Sequence, residues 1–300
     1  MSLAVRWITH VGTSSLHAAE ALLREPTLVD PKLTAAIREP GWDLAQEIAV
    51  QGWDEIRYWR QLLCMAHQFE NKRQLAQIAL FRAFGTTKPQ PENLAALAGR
   101  LTDLQLAYNR AFPEMANELA LRSRPLREQW EARAPGLLRT ALSLTEDKIL
   151  VPGVDILLVQ PALGGYGVAQ LYNNTVRIEA MLANPHDRLP EVVRLAWMVL
   201  QLNLDLPMFS EEIHGERLPM IAGLAMLPLA LHAAQEVELA RFDFELLQLA
   251  LTAWRVPQPR NISTAEVVAN WWDVFHTTNT TIRVGLKALD EMLTAENNEE

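Results

Sequence analysis

The segment Val154–Asp205 constrains the fold of this chain more than any other part. It opens with short apolar runs, VDILLVQP, GVAQLY and TVRIEAML, which predict two or three strands. The Gly164–Gly167 cluster and the pair Asn173–Asn174 lie between these runs and are typical of turns. A long apolar helix with a thin polar stripe is predicted next, at about residues 188–205. The pattern therefore predicts a small antiparallel β-meander followed by a helix.

The first half of the chain has helical patterns only. Asp30 before Pro31 is typical of a helix start, and Glu39-Pro40-Gly41 predicts that this helix is short. A second helical pattern covers about residues 43–84, with a break expected near Gly52 and a glycine, Gly85, at its end.

A regular apolar stripe follows at a spacing of three and four residues. A stripe of this kind buries one face of a helix, so we expect the segments before and after residue 85 to form an antiparallel helical hairpin. The stripe consists of Leu94, Leu97, Leu101, Leu104, Tyr108 and Ala111.

The C-terminal part adds further helices at about 218–240, 242–254 and 264–276, with a bend expected at Pro228 and a capping box formed by Ser263 and Glu266. We place a domain boundary at residue 147. The expected fold is mainly helical, of the α+β class, with an all-helical region, residues 1–147, packed on an α+β domain, residues 148–300.

Composition and charge exclude several functional classes. Residues 1–150 carry 18 Lys and Arg against 17 Asp and Glu, whereas residues 151–300 carry 9 against 19. An acidic second half repels phosphate, so nucleic acid is not an expected partner. The longest apolar run, residues 218–231, is shorter than a bilayer span and predicts core. One cysteine, Cys64, and no secretion signal predict a cytoplasmic protein.

The helix that starts at Leu189 carries a resemblance. A small sheet followed by a helix, with a glutamate at Glu191, resembles the core of gluzincin-type zinc peptidases, whose helix bears the motif HExxH. Pro190 and Arg194 occupy the two histidine positions. Proline has no ligand atom and a guanidinium repels Zn²⁺, so the resemblance implies a zincin-like domain that has lost its metal.

The same residues have a purely structural interpretation. Glu191 and Arg194 are spaced as an i,i+3 ion pair, which stabilises an exposed helix by about 0.2–0.5 kcal/mol. With Gln201 and Asp205 they would form one polar edge of an otherwise buried helix. Trp197 would then belong to the core.

A second group of residues could bind a metal in a nonstandard way. His232 and Glu236 are spaced at i,i+4 on one helix, and further ligands would have to come from a charged loop. The alternative is a core histidine beside a solvated loop. The loop candidates are Glu211, Glu212 and His214.

Trp271 and Trp272 are adjacent on one predicted helix. Neighbouring helical side chains point about 100° apart, so we expect one of the two to face a partner or a domain interface.

Since no catalytic constellation is complete, we expect a non-catalytic cytoplasmic interaction or regulatory protein, a pseudo-metallopeptidase, with an unidentified protein partner and no cofactor. The alternatives are a hydrolase with a site at Glu191, His214 and His232, and a small-ligand pocket between the meander and the helix at Pro190.

Overall fold

The computed structural model describes residues 3–85, 91–260, 263–278 and 280–295. The protein is mostly helical, at 65%, with one small mixed sheet, and this confirms the mainly helical α+β class. The helices and strands in chain order are β1 (Ala4–Thr9), α1 (Val11–Arg24), α2 (Pro31–Val50), α3 (Glu55–Met65), α4 (Lys72–Phe84), α5 (Pro91–Ala111), α6 (Met115–Arg122), α7 (Arg124–Ser143), β2 (Gly153–Val159), β3 (Gly167–Gln170), β4 (Thr175–Glu179), α8 (Glu191–Gln201), α9 (Pro207–Ser210), α10 (Leu218–Glu236), α11 (Phe244–Ala253), α12 (Thr264–Phe275) and α13 (Ile282–Ala295).

The chain forms two compact units. The helical unit comprises Trp7–Ser123 and Leu157–Tyr166, and the mixed unit comprises the described residues of Met1–Arg6, Arg124–Ile156 and Gly167–Glu300. This division differs from the predicted boundary at residue 147, because α7 packs on α8 and α10 and so belongs with the C-terminal elements.

The sheet has the strand order β1-β2-β4-β3. Only β3 and β4 form the expected hairpin: they pair antiparallel, and Asn174 in the turn before β4 has a left-handed backbone, with φ 47°. The predicted meander is wrong in order, because β4 is inserted between β2 and β3. The prediction also lacked β1, whose pairing connects residues far apart in sequence.

Helix α1 is the centre of the helical unit. Every residue from Gly12 to Leu22 is buried, and α2, α3 and α5 pack around it. Helix α5 supports this core through its predicted stripe, in which Leu94, Leu97, Leu101, Leu104 and Tyr108 are buried. The stripe is thus confirmed, while the segment before residue 85 is divided into α2, α3 and α4, of which α2 and α4 pack on α5.

Helix α2 does not stop at Pro40. Asp30 caps its start as predicted, accepting hydrogen bonds from the backbone N–H groups of Lys32 and Leu33, at 2.9 and 3.2 Å. The helix then continues through Pro40 to Val50. Gly41 is buried at the contact with α1, where a Cβ would lie 3.5 Å from Ala19 Cβ, an ordinary van der Waals distance.

The mixed unit is built around α8 and α10. All residues of α8 are buried, and α10 is apolar on all sides and packs on α7, α8, α12 and α13. Among the described residues, α10 is the one helix long and apolar enough to span a membrane by length and composition, and 78% of that window is buried within the protein. A buried environment is typical of a core helix. Helix α10 runs continuously through Pro228.

The helices predicted at about 242–254 and 264–276 are present as α11 and α12. The capping box is wrong, because the Ser263 side chain makes no cap hydrogen bond. Helix α13 was not predicted.

Candidate functional site

Four charged side chains are buried on β4 and at the start of α8. Arg177 and Glu179 lie on β4 and are 3% and 0% exposed. Glu191 and Arg194 lie in the first turn of α8 and are 5% and 1% exposed. The charge of Glu179 acts on both Glu191 and Arg194, and we call these three residues the buried charge cluster. Burying even one unpaired charge is costly, so a cluster of three is the most unusual electrostatic feature of the mixed unit.

Local geometry aligns these side chains in two pairs. Residues two apart on a strand share a face, which aligns Arg177 with Glu179, and residues three apart on a helix share a face, which aligns Glu191 with Arg194. Pro190 has an extended backbone and no side-chain cap, and the Glu191 N–H instead donates to Asn184 Oδ1 at 3.0 Å. The start of α8 is thereby held by Asn184, in the segment between β4 and α8.

Arg194 makes one strong contact in this cluster. Its Nη2 donates to Glu191 Oε2, while its Nε and Nη1 have no hydrogen-bond partner in the described part of the chain. Burial lowers the pKa of the Arg194 guanidinium, and the carboxylates of Glu191 and Glu179 oppose that effect. Burial raises the pKa of Glu191, and the charge of Arg194 opposes it. Each of the two charges therefore stabilises the ionised form of the other residue against the cost of desolvation.

The exposed polar edge predicted for α8 is wrong. Glu191 and Arg194 pair as predicted, but in the interior, because α7, α10, β3 and β4 pack around α8. Gln201 is also buried, and its Nε2 donates to Trp197 O at 3.0 Å. Trp197 is core as expected, donating from Nε1 to Gly223 O at 2.8 Å.

The structure does not bring the predicted metal ligands together. Glu211 and Glu212 pair with Arg283 of α13, each at 3.0 Å, and Glu212 also pairs with Lys287 at 2.5 Å. These contacts lower the pKa of Glu212. His214 is exposed. Among residues 3–85, 91–260, 263–278 and 280–295, no group of three or more His, Cys, Asp or Glu side chains is placed to share a metal ion.

His232 lies in an aromatic group. Its ring centroid is 5.6 Å from that of Trp272, 5.8 Å from that of His276 and 6.2 Å from that of Phe242. Burial lowers the pKa of His232, with a smaller contribution from His276, and Glu236 opposes the shift. His276 was not a predicted site residue. The sequence placed it only at the C-terminal end of the predicted helix at about 264–276.

Neither Trp271 nor Trp272 faces a partner surface. Both are buried, at 3% and 2% exposure, because α13 packs on α12. Trp271 donates from Nε1 to Gly285 O at 2.7 Å and stacks on Phe275 with ring centroids 5.1 Å apart. The two indoles are therefore core residues of the mixed unit.

The helical unit contains a polar group that the sequence analysis missed. His10 caps α1 by accepting from the Thr13 N–H at 3.1 Å. Burial, with the charges of Lys72 and His67, lowers the pKa of His10 to about 4. Ser14 Oγ accepts from the backbone N–H of Gln160 at 3.3 Å. The run of hydroxyl residues at the start of an apolar helix is the sequence signal that points to these contacts.

Comparison with protein-family models, with curated proteins and with solved structures gave no match.

Proposed function

We propose that this protein is a non-catalytic cytoplasmic interaction or regulatory protein, and that its mixed unit is a pseudo-metallopeptidase core. The observation that supports this most directly is the buried guanidinium of Arg194 beside Glu191. In a zinc peptidase of the gluzincin type, the glutamate of the helix polarises a metal-bound water. In this protein the same position is engaged by a permanent cation of the chain itself.

The chemistry of the cluster argues against a general base at Glu191. A general base needs hydrogen-bond reach to a substrate proton, directly or through one water. The Glu191 carboxylate is instead buried and bonded to Arg194. A metal cation at this place would be repelled by the guanidinium group of Arg194.

The hydrolase alternative requires Glu191, His214 and His232 in one site. Glu191 is buried at the start of α8, His214 is on an exposed loop, and His232 packs on the aromatic residues of α12. No described contact links any two of these three side chains. The geometry therefore favours the non-catalytic function over the hydrolase.

The test restores the missing ligands. We expect the wild type to show no peptide hydrolysis on a fluorogenic peptide library with Zn²⁺ added, and Glu191→Gln to leave that background unchanged at matched folding. The double variant Pro190→His/Arg194→His rebuilds the HExxH spacing, and a gain in Zn²⁺ affinity specific to it would support the pseudo-metallopeptidase origin. Hydrolysis by the wild type that falls about 100-fold or more in Glu191→Gln would overturn the proposal.

The interaction function has a separate test. Crosslinking in cytoplasmic extract, followed by reconstitution from purified components, should yield a protein complex of defined stoichiometry. A protein that stays free in reconstitution with every crosslinked candidate would contradict the interaction function, while the absence of hydrolysis would still stand.

A further inference from the structure

The ends of α10 and α12 bring two histidines together. His232 lies in the last turns of α10, and His276 is the residue directly after α12. Their ring centroids are 5.8 Å apart, with an angle of 61° between the ring planes. His276 is exposed and His232 is half-buried, so solvent reaches the pair.

The distance between the rings suits a shared metal ion. A Zn²⁺ ion lies about 2.0–2.1 Å from each imidazole nitrogen, which places the ring centroids of two ligands of one ion about 5.2 Å apart at the tetrahedral angle and about 6.4 Å apart in a linear arrangement. The observed 5.8 Å lies between these two values and corresponds to an angle of about 130° at the ion. The different ring planes are no obstacle, because a tetrahedral ion accepts ligands from different directions.

One ring is oriented by its own backbone. His276 Nδ1 lies 2.6 Å from the carbonyl oxygen of Trp272, an acceptor, so Nδ1 carries the proton and Nε2 keeps its lone pair. A backbone carbonyl that holds the second nitrogen of a histidine is the usual outer-shell arrangement of metal-binding histidines. The ring also stacks on Trp272, with centroids 5.3 Å apart, which limits its rotation.

The second ring has its nitrogens free for an ion. His232 makes no hydrogen bond to any described residue, although its ring packs beside Trp272 and Phe242. Glu236 lies one turn further along α10, is exposed and makes no ion pair with a described residue, so it adds a negative charge beside the pair.

We infer that His232 and His276 form a binding site for one late first-row divalent ion, Zn²⁺ or Cu²⁺. Imidazole is a preferred ligand of these ions. Two protein ligands leave the other coordination positions to water or to an atom of another molecule, as in open rather than structural metal sites. Because the ligands come from two helices, the ion connects the end of α10 to the end of α12.

The affinity test uses Zn²⁺ alone and the full chain. Isothermal titration should give one Zn²⁺ per chain, and His276→Asn and His232→Asn should each weaken binding at least about tenfold, since loss of even an outer-shell partner costs about 10- to 100-fold. His214→Asn, which changes an exposed histidine outside the pair, should bind like the wild type. His276 is exposed, and the asparagine in His276→Asn can still donate a hydrogen bond to Trp272 O. The His276→Asn variant therefore keeps the test valid if His232→Asn fails to fold.

A second measurement locates the ion. Trp272 contacts both rings, so bound Cu²⁺ should quench its fluorescence, and Trp272→Phe should lose that part of the quenching while Trp254→Phe keeps it. Removal of Cu²⁺ by excess EDTA should restore the signal, since Zn²⁺ binds such a site more weakly than Cu²⁺ and would not displace it. The inference is overturned if wild-type chain binds no Zn²⁺ at millimolar concentration, or if His276→Asn binds with unchanged affinity.

Discussion

The buried charge cluster should behave as a unit whose net charge matters more than any single contact. Its two glutamates and one arginine sum to one negative charge. Arg194→Met removes the cation but keeps much of the buried stem, and so leaves two buried carboxylates. Glu191→Gln leaves Arg194 with the charge of Glu179. The double variant Glu191→Gln/Arg194→Met leaves Glu179 as the one charge of the cluster.

Coulomb's law sets the size of these effects. Two charges about 4 Å apart interact by about 4 kcal/mol at an effective dielectric constant of about 20. Removal of one partner from a buried pair costs about 3–5 kcal/mol, so we expect Arg194→Met to lose that much. Glu191→Gln should lose about 2–3 kcal/mol, because the amide still accepts a hydrogen bond from Arg194.

The double variant Glu191→Gln/Arg194→Met tests whether the two residues interact. Its loss should be smaller than the sum of the single losses by at least about 2 kcal/mol, which is the coupling expected for groups in one network. Urea titration followed by circular dichroism measures all three free energies of unfolding. A coupling below about 0.5 kcal/mol would refute the paired, buried arrangement.

The Arg194→Met deficit should also depend on pH. Burial raises the pKa of Glu191 in the wild type, and loss of Arg194 removes the main influence that lowers it. A carboxyl whose folded pKa is raised gains relative stability below its unfolded pKa and loses it as the pH rises through the folded value. The deficit should therefore shrink as the pH falls toward about 4.

Three further changes test the core and the helical unit. Leu101→Ala should cost about 2–5 kcal/mol in unfolding free energy, whereas Leu106→Ala, at 47% exposure on the same helix, should change it by less than about 0.5. Gly285→Ala should cost about 1–3 kcal/mol, because its Cβ would lie 2.7 Å from two ring atoms of a neighbouring phenylalanine; Gly99→Ala, with open space around it, should stabilise by about 0.5–1. The pKa of His10 is lowered from 6.5 to about 4, so its contribution to stability is full above pH 6.5 and is lost as the pH falls to 4. For a half-buried ring this loss is about 1–2 kcal/mol after screening, and His10→Asn, which keeps a cap, should remove it from the urea-titration profile.

Local patterns predicted the elements that local interactions decide. The buried stripe of α5 follows from helix periodicity. The end of α4 follows from Gly85, whose φ of 78° lies in the left-handed region that favours glycine. Helix α2 shows where such patterns fail. Proline at position 40 favours a stop, but the buried series of Leu33, Ile37, Leu44 and Ile48 continues through it and holds one helix together.

The sheet and the site depended on contacts between distant residues. Nothing in the sequence near β4 shows that it inserts between β2 and β3, so the local turns suggested a meander. The same limit hid the depth of Glu191 and Arg194, since an i,i+3 pair has the same spacing at the surface and in a core. Only the fold, which brings the charge of Glu179 on β4 close to both residues, makes the pair part of a buried network.

The zinc content of the wild type alone would not test the pseudo-metallopeptidase proposal and the histidine-site proposal separately. The first concerns the start of α8, and the second concerns His232 and His276. An ion at α8 would have to displace Arg194 from Glu191, and its binding would therefore respond to changes at those positions. An ion on α10 and α12 would respond to His232 and His276 instead. Zinc that is lost in His276→Asn but kept in Glu191→Gln would thus support the histidine site and leave the pseudo-metallopeptidase proposal intact. Zinc with the reverse dependence would contradict both, since it would place a working metal centre at the buried charge cluster.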